Sequence, residues 1–429
     1  MNYLNNQHSE QNFGYEARFN EGWGDRLQTV TKIKASSLQK KLPGVLIIKM
    51  KILFLDQSGN LGGAELSITD VAEFYRENCL VGLFADGSFR QLLEQHHIPV
   101  QVLATEPINV RRRSNFISNL ASIRSVLPLI AKTTKLARNY DVIYANTQKA
   151  LVVGAFASLL SHRPLVFHLR DIISPEHFSR TNRYIAVTLA NRFASLVIAN
   201  SKATQSAFIA AGGRAELTRV VYNGFEPSKY QSQDVTPEQT RQQLGLDGQF
   251  VVGQFSRLSP WKGQHILIEA LAQCPPDVSV ILVGDALFGE DDYVQQLHQQ
   301  VAQLGLEKRV YFLGFRADVI PLMQACDLVA HTSTAPEPFG RVIVEAMLCG
   351  CPVVAAAAGG AVELVESGIN GFLVPPGEPQ QLAEVITTCR NQPEQTAAIA
   401  QYARDSASER FQQTNVNQQI AQLLQSTLN

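Results

Sequence analysis

Four short stretches of this chain combine residue types that handle anions and hydroxyl groups. Phe255-Ser-Arg-Leu-Ser-Pro-Trp-Lys-Gly263 sets Arg257 and Lys262 five residues apart in a loop that should follow a strand. A guanidinium gives bidentate contacts and an ammonium a mobile point charge, so the two suit a diphosphate. Two solvated surface cations are the plainer alternative. Glu337-Pro-Phe-Gly-Arg-Val-Ile-Val-Glu345 carries a carboxylate in a loop and a second one in the second turn of a helix starting near Gly340. At about 1.5 Å rise per residue the carboxylates stand roughly 8–12 Å apart, enough to accept hydroxyls from two sugar rings of one extended ligand. The competing reading is a surface ion pair, Arg341 with Glu345 at i,i+4, in the less favourable order. Ser58-Gly-Asn-Leu-Gly-Gly-Ala-Glu65 is a glycine-rich strand-to-helix loop, where backbone N–H groups and a helix N-terminus can meet an anion. It does not match GxGxxG, and a simple tight turn reads equally well. His168, in Val166-Phe-His-Leu-Arg-Asp171, ends an expected strand and would face a cleft, donating to a sugar hydroxyl. Arg170 and Asp171 would orient it or pair with each other; a purely structural histidine is the alternative.

The elements that must hold these residues are written in the apolar runs. Strands are expected at 52–55, 80–84, 100–103, 141–145, 165–168 and 196–199, then at 250–255, 278–283, 310–313, 328–331, 352–355 and 372–374. Each is short and apolar nearly throughout, as in parallel strands covered on both faces. Helical patterns fill the gaps, which implies an α/β doubly wound arrangement. Residues 223–249 are polar and rich in Pro, Gly and Ser, and read as a linker between two Rossmann-like domains. Ligands in such sheets bind beyond the carboxyl ends of the strands, so the cleft is the expected site. Residues 1–49 read as a disordered leader, an Asn/Gln/Glu-rich stretch and then a basic patch (Lys32, Lys34, Lys40, Lys41).

Composition narrows the class. The 429 residues exceed what one compact core organises. Lys+Arg 37 against Asp+Glu 38 argues against a general nucleic-acid binder. Six cysteines (79, 274, 326, 349, 351 and 389) form no CxxC pair and complete no zinc site, so buried reduced thiols in a cytosolic protein are expected. No run reaches the roughly 18–20 apolar residues that cross a bilayer.

Together these motifs resemble the retaining glycosyltransferases of family 4, the group 1 glycosyltransferases of GT-B fold, from about Met50 onward. The resemblance rests on Gly62-Gly63-Ala64-Glu65, His168, Ala199-Asn-Ser201, Tyr222-Asn-Gly224, Arg257…Lys262-Gly263, Glu337-Pro-Phe-Gly340 with Glu345, and Gly359-Gly360…Glu363, in family order. It implies a GT-B architecture in which two Rossmann-like domains with parallel sheets face each other across a cleft. The N-terminal acceptor domain would span 50–222, the linker 223–249 and the nucleotide-sugar donor domain 250–404. A C-terminal helix, 405–429, would cross back onto the N-terminal domain.

The resemblance also implies roles. Arg257 and Lys262 would hold a nucleotide-sugar diphosphate, and Glu345 the ribose. Glu337, with the backbone at Phe339 and Gly340, would hold the donor sugar. Gly62 and Gly63 would reach the phosphates, and His168 the transferred sugar. No cofactor and no metal are implied, and retention would proceed by front-face attack without a protein nucleophile. The acceptor would be a saccharide or a lipid-linked molecule in surface polysaccharide, lipopolysaccharide or glycolipid assembly, in the cytoplasm. Arg111-Arg-Arg113 and the basic helix Lys132–Arg138 would touch anionic lipid at the inner face of the plasma membrane, or are a solvated face. The loop Gly284-Asp-Ala-Leu-Phe-Gly289 is bulkier than the family's usual version. A GT-B nucleotide-sugar epimerase and a non-catalytic nucleotide-sugar binding protein stand as alternatives. A phosphorylase and an NAD-dependent oxidoreductase are disfavoured by missing motifs.

Overall fold

The computed structural model describes residues 50–104, 120–231, 235–286 and 289–428, with side chains of the helix beginning at Leu120 described from Val126. The expected leader 1–49 and Arg111–Arg113 lie outside the described residues, as do positions 287–288 of the bulky loop.

The first half is built from strands β1 (Ile52–Asp56), β2 (Cys79–Leu83), β3 (Val100–Val102), β4 (Val142–Ala145), β5 (Leu165–Leu169), β6 (Ala194–Ala199) and β7 (Thr218–Val220). Helices α1 (Gly63–Phe74), α2 (Ser88–Gln95), α3 (Leu120–Ala137), α4 (Gln148–Ser161), α5 (Arg180–Phe193) and α6 (Lys202–Ala210) connect them. All pairings are parallel, in the order β3-β2-β1-β4-β5-β6-β7. Side chains alternate between two cores: Leu53, Leu55, Phe167 and Leu169 pack beneath α4 and α5, while Ile52, Phe54, Tyr144 and Val166 pack on the other face. Burial on both faces explains why these strands read as unbroken apolar runs.

The second half begins with α7 (Pro237–Leu244) and strand β8 (Phe250–Phe255), then α8 (Gln264–Leu271), β9 (Val278–Val283), α9 (Asp291–Gln303), β10 (Val310–Gly314), α10 (Val319–Gln324) and β11 (Leu328–His331). It continues with α11 (Arg341–Leu348), β12 (Val353–Ala356), the one-turn α12 (Ala361–Leu364), β13 (Phe372–Val374), α13 (Pro379–Asn391) and α14 (Pro393–Arg410). Its sheet is also parallel, ordered β10-β9-β8-β11-β12-β13. The final helix, α15 (Gln413–Ser426), returns to the first half. There Val416, Ile420, Ala421 and Leu424 join the core beside Phe54 and Tyr144.

Three expectations need correction. Strand β7 was not foreseen: it is three residues long, with exposed Arg219 at its centre. Residues 223–249 are not a free linker. Phe225 and Leu246 are 2% and 1% exposed in a core of the second half, and α7 carries a full capping box at Thr236 and Gln239. The helix expected over 405–429 is two helices broken at Phe411–Gln412, where Phe225 pairs with Gln412 as an isolated bridge. The chain therefore crosses between its halves twice, side by side, and the crossing helix starts at Gln413.

All six cysteines are buried and unpaired. Among the described residues no helix is long and apolar enough to cross a membrane.

Candidate active site

In each sheet the strand order reverses beside the first strand of its half, so the loops after β1 and β8 open at a topological switch point. After β8 the chain makes a single 3-10 turn, Pro260–Lys262, and Gly263 follows at φ 71°. A Cβ there would lie 2.0 Å from the Thr332 carbonyl oxygen just beyond β11, so only glycine lets the two loops touch. The Thr332 hydroxyl donates toward the Lys262 and Gly263 carbonyls (3.1 and 2.9 Å), and the Gln254 amide donates to the Lys262 carbonyl (2.8 Å). The backbone that carries Lys262 is thus tied to strands β8 and β11.

Lys262 Nζ meets Glu337 Oε2 at 2.7 Å, with side chains only 15% and 13% exposed. His331, the last residue of β11, places Nε2 3.2 Å from the same oxygen. Burial alone would push the Glu337 carboxyl upward; the Lys262 ammonium and the His331 contact outweigh it and hold the group well below the usual carboxylate range. Arg257 joins this cluster through Trp261: its Cζ lies 5.8 Å from the indole centroid and Lys262 Nζ 4.0 Å. Both expected cations therefore gather on one aromatic ring rather than splaying into solvent. The Gly359-Gly360 pair backs the same loop. Gly360 N donates to the Glu337 carbonyl at 2.6 Å, and a Cβ on Gly359 would sit 2.3 Å from it.

Glu345 lies elsewhere. The i,i+4 pair with Arg341 does form, Nε to Oε1 at 3.2 Å, but it is buried rather than superficial, the side chains being 13% and 14% exposed. Arg341 also crosses to the first half, reaching Ser67 Oγ (2.9 Å) and Asp70 Oδ2 (3.1 Å) on α1, and stacks over Phe225 at 4.6 Å. Burial raises the Glu345 carboxyl, with Arg341 opposing. Phe339 is 2% exposed inside an aromatic cluster with Tyr222, Phe225 and Phe411, so it offers a ligand its backbone only. Gly340 caps α11 at φ 100°. Gly62 and Gly63 are exposed at the start of α1, with the Arg341 side chain 3.6 Å from where a Gly63 Cβ would stand.

His168 departs from expectation. It is 2% exposed within β5, and its Nδ1 bonds the Tyr144 hydroxyl rather than standing open in a cleft. Its Nε2 is buried without a hydrogen-bond partner. Burial and the neighbouring Arg170 pull its pKa well below the usual imidazole range, so the ring is neutral. Arg170 does not orient it. Instead Nε donates to Asn146 Oδ1 (2.8 Å) and Nη1 to Asn223 Oδ1 (2.6 Å), while Asn146 Nδ2 donates to Asp56 Oδ2 (2.7 Å). These groups close the carboxyl edge of the first sheet. Burial pushes the Asp56 carboxyl up to about 6, despite donors from Asn146 and the Ser58 amide, and pulls Arg170 down to about 10.

Three further residues went unrecognised or without a role in the sequence. His331 shows only as the last residue of an apolar run. Asp70 shows only as one acidic residue of α1. Glu363 accepts from the Lys202 and Ala203 amides at the start of α6 (2.9 and 2.7 Å) and from the Tyr222 hydroxyl (2.9 Å). The motifs at Ser201, Tyr222 and Glu363 thus converge on one joint between the halves.

Two all-parallel sheets joined by a double crossing, with two cations and a carboxylate gathered where the second one reverses, define a protein of the GT-B class. Residues 236–406 match the family described as Glycosyl transferases group 1, and residues 61–229 match Glycosyltransferase Family 4. The chain belongs to the group 1 glycosyltransferases. The crystal structure of Anabaena Alr3699/HepE in complex with UDP-glucose is 64% identical over 88% of this chain and 100% of that one, with a TM-score of 0.81. Its complex with UDP and glucose gives 0.82 over the same shares. Spore coat protein SA of Bacillus subtilis (strain 168) is 31% identical over 242 residues, 53% of this chain and 59% of that protein. A D-inositol 3-phosphate glycosyltransferase of Corynebacterium urealyticum is 32% identical over 197 residues, 44% of this chain and 46% of that protein. The chain spans about half the length of these curated relatives.

Proposed function

We propose that the protein transfers glucose from UDP-glucose to a saccharide or lipid-linked acceptor, retaining the anomeric configuration and using no metal ion or other cofactor. The observation that carries this reading is Lys262, paired with Glu337, sharing one indole with Arg257 at the switch point. Support for the donor comes from HepE, whose crystal structure is a complex with UDP-glucose.

A diphosphate seated on Arg257 and Lys262 competes with Glu337 for the ammonium, and Glu337 then turns to hydroxyls of the donor sugar. Glu345 takes the ribose hydroxyls, sharing itself with Arg341. The Phe339–Gly340 backbone lines the sugar, Gly62 and Gly63 bring the start of α1 to the phosphates, and His168 offers its unpartnered Nε2 to a sugar hydroxyl. As the bond from the anomeric carbon to the diphosphate oxygen breaks, its electron pair goes to that oxygen. The sugar becomes oxocarbenium-like, and the two cations stabilise the departing anion. The acceptor attacks from the same face and yields its proton to the departing phosphate, so the mechanism needs no protein nucleophile. An acceptor held at a bilayer of the inner membrane face would meet α3 and the turn after it, where Leu127, Lys135 and Arg138 are exposed. Lys132 is committed elsewhere, to the Val102 and Leu103 carbonyls. Assembly of a surface polysaccharide, lipopolysaccharide or glycolipid in the cytoplasm fits such an acceptor.

The test is thermal stabilisation by UDP-, GDP- and ADP-sugars, followed by NMR of the transferred sugar's anomeric proton. UDP-glucose should raise Tm most and the product should be α-linked. Stabilisation by no nucleotide sugar overturns the donor assignment, and a β-linked product overturns retention.

A further inference from the structure

One side chain of the first half reaches the neighbours of both members of the Lys262–Glu337 pair. His177, in the loop between β5 and α5, places Nε2 3.1 Å from the carbonyl oxygen of Pro336, the residue before Glu337. A carbonyl only accepts, so this nitrogen carries the proton. The same ring meets Trp261, the residue before Lys262, edge to face, with centroids 5.6 Å apart and planes at 79°. Trp261 is half-buried, and its backbone is held within the second half through the Thr334 amide, 2.8 Å from the Trp261 carbonyl. Its indole carries Lys262 at 4.0 Å and Arg257 at 5.8 Å. His177 therefore fixes the platform under the two cations and the backbone behind the carboxylate, and it does so from across the cleft.

We propose that His177 is a positioning residue for the transfer reaction, aligning Lys262, Arg257 and Glu337 only when the two halves are closed. The proposal rests on the transferase reading above. An open cleft withdraws the ring and leaves the indole and the Pro336–Glu337 backbone without their cross-cleft support. The donor can still be captured by the second half, but the cations are out of register for the leaving group. The contact thus acts in the transition state more than in the ground state, which places its effect in kcat rather than KM.

The chain has two tryptophans. A Trp23→Phe background leaves Trp261 as the sole indole reporter, and His177→Ala and His177→Gln are compared in it. His177→Ala should lower kcat for transfer from UDP-glucose roughly tenfold, leave the donor KM within about twofold, and shift Trp261 emission to the red. His177→Gln, whose amide can still donate to the Pro336 carbonyl, should recover part of kcat and confirms that the chain folds with the ring replaced. A raised KM with unchanged kcat, or an emission shift without loss of kcat, overturns the positioning role. Unchanged emission overturns the contact itself. If the parent protein transfers from no nucleotide sugar, the functional reading fails, while the emission comparison still decides whether His177 packs on Trp261.

Discussion

In the first half, Asp56, Asn146, Arg170 and Asn223 close on one another where β1, β4, β5 and β7 end. In the second half, Lys262, Glu337 and His331 close on one another where β8 and β11 end. The first group is a chain of fixed neutral and charged partners, with Asp56 entirely buried and Arg170 8% exposed. The second is an ion pair whose two side chains are each left about one-seventh exposed. A ligand can displace the second but has little to displace in the first. Equivalent places in two similar sheets thus differ in how open their polar groups are, and substitutions should separate them.

The largest effect is expected from Lys262→Ala. If the proposed diphosphate seat is correct, losing one of its two cations should cost roughly 10²–10³ in kcat. Steady-state transfer from UDP-glucose measures this, and a loss below tenfold would place the diphosphate elsewhere. Arg170→Met attacks the other region and should register as stability. It strands Asn146 and Asn223 in a buried site and should lower unfolding free energy by about 3–5 kcal/mol, read from urea titration.

Acidity should sharpen the contrast, because the two regions respond with opposite sign. Folded Asp56 keeps its proton up to about pH 6, against an ordinary value of 3.8. Between those values the folded chain binds more protons than the unfolded one, so this group adds stability as pH falls from 6 toward 4, by about 2–3 kcal/mol. Glu337 is held below its ordinary 4.5, so its contribution is present above that value and is lost as pH falls through its lower folded pKa. Asp56→Asn should flatten the stability profile between about pH 6 and 4 while leaving the acid limb below it; an unaltered profile would contradict the assignment. The smallest effect belongs to Glu363→Gln, which weakens the charged cap on α6 by about 1 kcal/mol and should lower Tm by a few degrees.

The sheets were legible because strands buried on both faces announce themselves as apolar runs. Their edges were not. Thr218-Arg-Val220 puts an exposed arginine in the middle of a three-residue strand. The stretch 223–249 hid its packing in isolated residues, Phe225 and Leu246, amid polar sequence. No Pro or Gly marks the break at Phe411–Gln412, which arises from pairing with Phe225 far upstream. Within the site, Arg257, Lys262 and Glu337 were readable from type and spacing, and their cluster is local to one half. The Arg341–Glu345 pair was readable from its i,i+4 spacing, but its burial depends on Asp70 and Ser67, more than 270 positions away. His331, His177 and Glu363 acquire meaning only from partners brought together by the tertiary fold. His168 sits deeper than a strand-end residue suggests, because Tyr144 on the adjacent strand holds its ring inside the packed layer.

The return of α15 has a consequence for how the protein is made. Four apolar side chains from residues 413–426 complete the core around β1 and β4, strands that the ribosome makes long before them. During synthesis the first half therefore keeps one core face uncovered until the whole second half has been made. Premature release anywhere in that interval would yield a sticky fragment rather than a finished module.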